Sequence, residues 1–397
     1  MTEETSGVRT TEDQEDFRHA VRKLARDEFA PGYLARARTP EFPWAELRKM
    51  AALGVLSLLA GEEHGGPEQP EYIAAGLACE EVGYADFNLA NALIPPYIVT
   101  FILSEFGSRE LRRRWLPRIV EGETFVALGL TEPEVGSDAG NLRTQARRDG
   151  EDWVLSGEKT SLTGIPFAEA AVVFARTSGP GARGVSAFFV PLDAPGVSQA
   201  TIPDTGWVPL GRGSVALEDV RLPADALVGG EGEGFRRVMA GFDFTRPLLA
   251  LTAIGAAQHA VDEAAAWAAR REAFGAPLAR FEGVSFPLAE HSTKLAAARA
   301  LCYQALDRRV HGERHTALAA MCKWFGPRVA FEAAHDCLLL HGHYGYTTDN
   351  PMEQRLRDIM SVEIADGTAQ VQKIIIAREL FGRSFLPYGQ AQSPPRP

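Results

Sequence analysis

The break in pattern at Thr124 constrains this chain more than any other feature. Before it, residues 11–122 carry apolar side chains at helical spacing, as at Phe17, Ala20, Val21, Leu24 and Ala25. After it, short β-branched and aromatic runs alternate with Gly, Pro and Asp turns as far as about Gly230. The runs 125–130, 153–156, 171–176, 184–190 and 215–217 read as strands. From Gly232 the helical period returns in long Ala-rich stripes with short connections, the pattern of an antiparallel bundle. The expected order is a helical domain over 1–123, a β domain over 124–231, a helical bundle over 232–385 and a disordered tail over 386–397. A chain of 397 residues can bury a core of that size.

A formal net charge of −11 argues against nucleic acid or an anionic membrane as partner. The acidic N-terminus is no signal peptide, and no run reaches about 18 apolar residues, so no membrane span is expected. The four cysteines, Cys79, Cys302, Cys322 and Cys337, form no C-x-x-C pair and lie in apolar, helical surroundings. They read as buried free thiols in a reducing cytoplasm.

Three stretches offer chemistry. The turn 131–138 (TEPEVGSD) follows an apolar strand, and its hydroxyls and exposed peptide N–H groups suit either a polar cofactor edge or an ordinary Asp/Gly turn. No G-x-G-x-x-G follows a strand; the nearest run, 230–234 (GEGEG), carries two acids that would repel a pyrophosphate, and it reads as a hinge. The loop 341–346 (HGHYGY) has two His at i and i+2. No Cys or carboxylate completes a ligand spacing there, so no metal is expected. Near the end, Ala365-Asp366-Gly367-Thr368 precedes a helix whose Val371, Ile374, Ile375 and Ile376 suit one buried face. Asp366 can be read as the cap of that helix or as a carboxylate held in a cleft as a base. The local residues favour the cap.

Seven segments in this order and spacing resemble the acyl-CoA dehydrogenase flavoprotein family: 130–138 (LTEPEVGSD), 230–235 (GEGEGF), 242–247 (FDFTRP), 270–275 (RREAFG), 341–346, 355–360 (RLRDIM) and 366–380 (DGTAQVQKIIIAREL). The likeness runs from about residue 11 to 383. It implies a mainly α fold with an N-terminal helical domain, a middle β-barrel-like domain and a C-terminal four-helix bundle. It further implies FAD as cofactor and a homotetramer built as a dimer of dimers. The implied reaction is α,β-dehydrogenation of an acyl-CoA or acyl carrier protein thioester, with electrons passing to an electron-transfer flavoprotein or to oxygen. Matched motif by motif, Asp366 would be the base, and the N–H of residue 366 a donor to the thioester oxygen. Leu130, Thr131, Gly136, Ser137, Ser161, Thr163, Thr368 and Gln370 would line the flavin. Arg271, Phe274, Leu339, Gly342 and His343 would reach the FAD of a partner subunit. Leu128, Ser137, Asp243, Arg246, Ala365 and Gly367 would meet the substrate.

Departures from the family pattern sharpen the expectation. The usual pair at the base is an aromatic followed by Glu; here it is Ala365-Asp366, and Thr245 stands at the family's other base position. Glu363 matches a non-catalytic acidic position. Ser161 replaces an aromatic beside the flavin, Leu339 a Gln and His343 a Gly. A carboxylate shortened by one methylene retreats about an ångström, which can cost on the order of 100-fold in rate unless the substrate meets it. Small Ala365 leaves room for a bulkier or branched acyl group. A same-fold oxidase or monooxygenase of the nitroalkane-oxidase kind, also with Asp366 as base, is the alternative. A flavoprotein without catalysis is the third reading.

Overall fold

The computed structural model describes residues 10–382 and 384; the expected tail over 386–397 lies outside them. Helix α1 (Glu12–Leu24) opens on a full capping box between Thr11 and Gln14, with acids in its first turn and bases in its last. Helices α2 (Trp44–Ala52), α3 (Tyr72–Ala85), α4 (Phe87–Asn91), α5 (Ile94–Phe106) and α6 (Arg109–Val120) follow. Ser108 caps α6 as the sequence predicts, accepting from the Leu111 N–H. Phe87–Phe106 has the length and mean hydropathy of a membrane span, but Asn88, Asn91, Thr100 and Ser104 interrupt it and 89% of its most apolar 18-residue window is buried within the protein. Asp86 starts α4 by accepting from the Asn88 and Leu89 N–H groups.

The middle of the chain forms one curled seven-stranded sheet. Its strands are β1 (Val126–Gly129), β2 (Gln145–Asp149), β3 (Asp152–Thr163), β4 (Ala170–Arg176), β5 (Val185–Pro191), β6 (Val197–Ile202) and β7 (Arg212–Leu222). β4 pairs in parallel with β1 and antiparallel with β5, and β3 pairs with β2 and β7. Strands β2 and β6 escape the sequence reading because β2 is polar on one face (QARRD) and β6 buries none of its residues fully. The β3–β7 ladder slips between Lys159 and Leu162, and Ser161 sits in that irregularity with a left-handed backbone (φ +64°).

Helix α7 (Gly234–Arg270) is a single 37-residue helix through Pro247. The ring removes the N–H that would bond the carbonyl of Asp243, a local break in the helical ladder at a position of interest below. α7 crosses α3 closely. A Cβ on Gly255 would lie 2.2 Å from the Glu80 carbonyl oxygen, and one on Gly83 2.5 Å from that of Thr252, so neither position admits a side chain. A hairpin, β8 (Glu272–Ala273) and β9 (Ala276–Pro277), leads into α8 (Glu282–Val310), α9 (Thr316–Leu340), α10 (Pro351–Met360) and α11 (Ala369–Phe381). α10 goes unread in the sequence. The apolar set on α11 is not a fully buried face: Ile374, Ile375 and Ile376 are half-buried, Leu380 and Phe381 are exposed, and only Gln372 is buried.

Three regions meet at one side chain. The buried Asp358 carboxylate on α10 accepts from Tyr33 Oη (2.9 Å), Asn88 Nδ2 (3.1 Å), the Trp207 N–H (3.0 Å) and Gln354 Nε2 (3.0 Å). Trp207 Nε1 also donates to the Asp358 carbonyl. This junction joins the first helical region, the sheet and the bundle just before the chain enters the Asp366 loop.

Candidate active site

Strand β1 carries Leu128, half-buried, near its end; Leu130, buried, and Thr131, half-buried, follow the strand, and Gly136 and Ser137 are exposed on the turn beyond. The turn is pinned from inside by Lys159 on β3, a residue the sequence reading passed over. Its fully buried Nζ donates to the Leu130 carbonyl (3.1 Å) and to Glu132 Oε1 (2.8 Å). The Glu132 carboxylate also accepts the peptide N–H groups of Arg143 (2.6 Å) and Thr144 (2.8 Å). Burial alone would raise the Glu132 carboxyl, but Lys159 and these donors outweigh it and hold it below its usual range. Burial pulls the Lys159 ammonium down to about 8 against the opposing pull of Glu132. The Thr160 N–H donates to the Thr131 carbonyl (2.9 Å), which brings Ser161 and Thr163 beside the turn. Ser161 is exposed and accepts from Arg212 Nη1 (3.1 Å), while Arg212 also pairs with Asp204.

The Asp366 loop is a second cluster. Asp366 and Gly367 are both left-handed (φ +51° and +96°), a conformation that Asp tolerates better than most residues and Gly adopts freely. The two carbonyls so turned both accept from Gln372 Nε2, at 3.0 and 2.9 Å. Asp366 does not cap α11, which corrects the local reading: the N-cap is Thr368, and no side chain bonds the helix end. The two left-handed residues turn the chain before the helix begins, and the Asp366 carboxylate accepts no hydrogen bond among the described residues. Burial raises its pKa, with Lys323 and Arg246 opposing. The Asp366 peptide N–H also bonds no acceptor among the described residues. Lys323, the second residue the sequence reading missed, is a lone buried cation in an apolar stretch of α9 (AAMCKWFG, 319–326). That contrast was its only signal.

Arg246 is buried and donates to Asp243 Oδ1 (3.2 Å), whose other oxygen accepts from Thr316 Oγ1 (2.6 Å). Ala365 is half-buried. Around this cluster, Thr245 Oγ1, Arg246 Nε and Gln372 Oε1 are buried without a partner among the described residues. Buried polar atoms are rarely left unpaired, so a cleft that orphans three of them fits a polar ligand.

The remaining candidates lie elsewhere. Arg271 is exposed and in no ion pair among the described residues, and Phe274, 97% exposed, tips the β8–β9 hairpin with φ +52°. Leu339, Gly342 and His343 are exposed. Trp267 ties the two stretches into one face by stacking on His341 and Tyr344, at 5.2 and 5.7 Å between ring centroids, while its carbonyl accepts the Arg271 N–H. At 1.5 Å of rise per residue, Leu339 is about 24 Å along α9 from Lys323, and Arg270 about 36 Å along α7 from Arg246. This face therefore stands far from the Asp366 loop of its own chain. Thr368 is half-buried and Gln370 exposed at the start of α11.

A Cβ built on Gly136 or Gly342 meets nothing within 4 Å, so both turns are open to close approach. The orphaned atoms at the Asp366 loop and the open turn at Gly136 fit a polar cofactor such as FAD, while the unpaired Arg271, on the distant face, fits a phosphate.

The acyl-CoA dehydrogenase N-terminal, middle and C-terminal domain families match residues 11–123, 127–220 and 232–381. The cyclohexane-1-carbonyl-CoA dehydrogenase of Geobacter metallireducens is 37% identical over 376 residues, covering 94% of this chain and 98% of that protein. The 3-(aryl)acrylate reductase of Clostridium sporogenes is 34% identical, over 93% of this chain and 99% of that one. Among solved structures, butyryl-CoA dehydrogenase from Megasphaera elsdenii superposes with a TM-score of 0.90 at 28% identity, covering 94% of this chain and 99% of that one.

Proposed function

Because the chain belongs to the acyl-CoA dehydrogenase family, we propose that Asp366 is the base that takes the α proton of its acyl thioester. The protein is an FAD-dependent oxidoreductase that dehydrogenates acyl thioesters. FAD, when bound, supplies the acceptor for the hydride that leaves the β carbon. The observation that carries the assignment is the Asp366 loop itself: a half-buried carboxylate, uncommitted to any helix end, whose pKa burial raises against the pull of two buried cations, Lys323 and Arg246. A base beside a weakly acidic α proton needs that desolvation. The free N–H of Asp366 is suited to meet the thioester oxygen as enolate charge develops.

Leu130, Thr131, Gly136, Ser137, Ser161, Thr163, Thr368 and Gln370 hold the cofactor of their own chain in this reading. Arg271, Phe274, Leu339, Gly342 and His343 serve that of a second copy, since their face is too far from the local Asp366. This reading requires a homo-oligomer, in keeping with the dimer of dimers that the family resemblance implies. Leu128, Ser137, Asp243, Arg246, Ala365 and Gly367 line the thioester. The short base and the small Ala365 suit an acyl group that is bulky or branched near the α carbon, in keeping with the alicyclic substrate in the name of the relative at 37% identity. Four buried free thiols fit a cytoplasmic setting.

One observation favours a same-fold oxidase as second reading: Ser161 is exposed where the family carries an aromatic, which opens an approach to the flavin. Anaerobic bleaching of the flavin by a panel of linear, branched and alicyclic thioesters, on CoA and on carrier protein, tests the first reading. Failure of every thioester to bleach it rejects that reading, and rapid peroxide formation in air supports the oxidase. Reoxidation by an electron-transfer flavoprotein instead identifies the acceptor.

A further inference from the structure

Lys323 is 1% exposed in the middle of α9. Its ammonium has three N–H groups to place. Two go to carbonyls that bracket the Asp366 loop, those of Val362 and Gly367, the latter at 3.4 Å. Neutral donors can do that work: Gln372 already holds the Asp366 and Gly367 carbonyls at 3.0 and 2.9 Å. Burying a full charge for the same purpose is costly unless the charge itself is used. The anion at hand is Asp366, which acts on Lys323 electrostatically but forms no contact ion pair with it among the described residues. A contact pair would commit the carboxylate. A cation one step away keeps it ionised and leaves its oxygens free.

We propose that Lys323 is the positioning residue of the base, tying both ends of the Asp366 loop to α9 and keeping the half-buried Asp366 carboxylate ionised. The inference rests on Asp366 acting as the base. The charged groups around it divide the roles. On α7, Arg246 bonds Asp243, which spends part of its charge there. Arg378 on α11 acts on Arg246, and Glu363, before the loop, acts on Lys323. Lys323 has no ion-pair partner of its own among the described residues, and of the two cations whose fields fall on Asp366 its effect is the larger, ahead of Arg246. Burial pushes the Lys323 ammonium down to about 8, with Asp366 opposing, as expected of two groups that hold each other charged.

The test is the pH profile of anaerobic flavin bleaching by a thioester that the wild-type holoenzyme accepts. Lys323→Gln keeps a donor and loses the charge; its acid limb should move up by about one pH unit or more, a tenfold loss of rate below the limb. Lys323→Arg should leave the limb within about 0.3 unit, whatever it does to the maximum rate. A merely structural anchor would lower the maximum and leave the limb in place, so a coincident limb in Lys323→Gln overturns the inference. Asp366→Asn bleaching at the wild-type rate would instead overturn the base assignment. Should Lys323→Gln fail to fold, melting temperatures of Lys323→Met, Asp366→Asn and the double variant decide. The loss from Lys323→Met should shrink in the Asp366→Asn background; additive losses overturn the inference.

Discussion

Tyr33 and Asp358 stand 325 residues apart in the chain and share a hydrogen bond of 2.9 Å between buried groups. The bond closes the first helical region onto the bundle, at a carboxylate that also holds the Trp207 N–H of the sheet region. Burial pushes both groups up, the Tyr33 hydroxyl well above its usual range and the Asp358 carboxyl above its own. The junction thus depends on its hydrogen bonds to hold polar atoms where water cannot.

Tyr33→Phe removes one of those donors and little volume. Hydrogen bonds to charged groups contribute about 1.5–3 kcal/mol, and the remaining three donors cannot replace the lost one. The expected result is a melting temperature lower by several degrees in calorimetry, with FAD content unchanged. An unaltered melting temperature would show that the junction does not stabilise the fold.

Lys159 and Glu132 are a buried pair, and breaking one side should cost more than removing both. Lys159→Met leaves the Glu132 carboxylate buried against two peptide N–H groups alone, a loss of about 3–5 kcal/mol by analogy with other broken buried pairs. Lys159→Met with Glu132→Gln should recover part of that loss in melting temperature. Because Lys159 also holds the Leu130 carbonyl, both variants should release FAD more readily on dilution. A double variant less stable than the single one would contradict the pairing.

Asp86 makes a prediction in pH. Burial first, with Arg36 opposing, pushes its carboxyl from 3.8 up to about 6. The native state therefore binds this proton more tightly than the unfolded chain does. This group's contribution rises as pH falls through about 6 and is complete below the unfolded value of about 3.8. The melting temperature of the wild type relative to Asp86→Asn should accordingly rise as pH is lowered from 7.5 to 5. The comparison with the variant cancels the carboxylates shifted the other way, Glu81 and Glu132 among them. A difference flat across that range would reject the shift.

The fold was legible where the pattern repeats, and the site where motifs repeat. The long helices α7, α8 and α9 announce themselves by period over many turns, while β2 and β6 are too polar or too exposed to alternate. Local chemistry also misled: an Asp before a helix reads as a cap, yet the left-handed backbone at Asp366 and Gly367 sets it apart from the helix end. Gln372 holds that turn from within the same segment, and Lys323 holds it from 39 and 44 residues away, a contact that no local pattern encodes. Lys323, Lys159 and Tyr33 matter through partners 27 to 325 residues away, at separations where a single sequence carries no signal.

Asp366 itself gives the most direct test of function. Asp366→Asn keeps the shape and removes the basicity. General-base contributions of about 10²–10⁴-fold set the expected loss in bleaching rate, with FAD still bound. Asp366→Glu is the more informative change. It advances the carboxylate by about an ångström, a displacement able to alter rates on the order of 100-fold in either direction depending on where the α carbon sits. If the short acid and Ala365 are matched to a branched or alicyclic acyl group, Asp366→Glu should slow that substrate and speed a linear one. The ratio of the two bleaching rates would then invert or collapse toward unity. A ratio unchanged by the substitution would mean that the length of the acid does not set substrate choice, and the preference would have to be sought along Leu128, Thr245 and Arg246 instead.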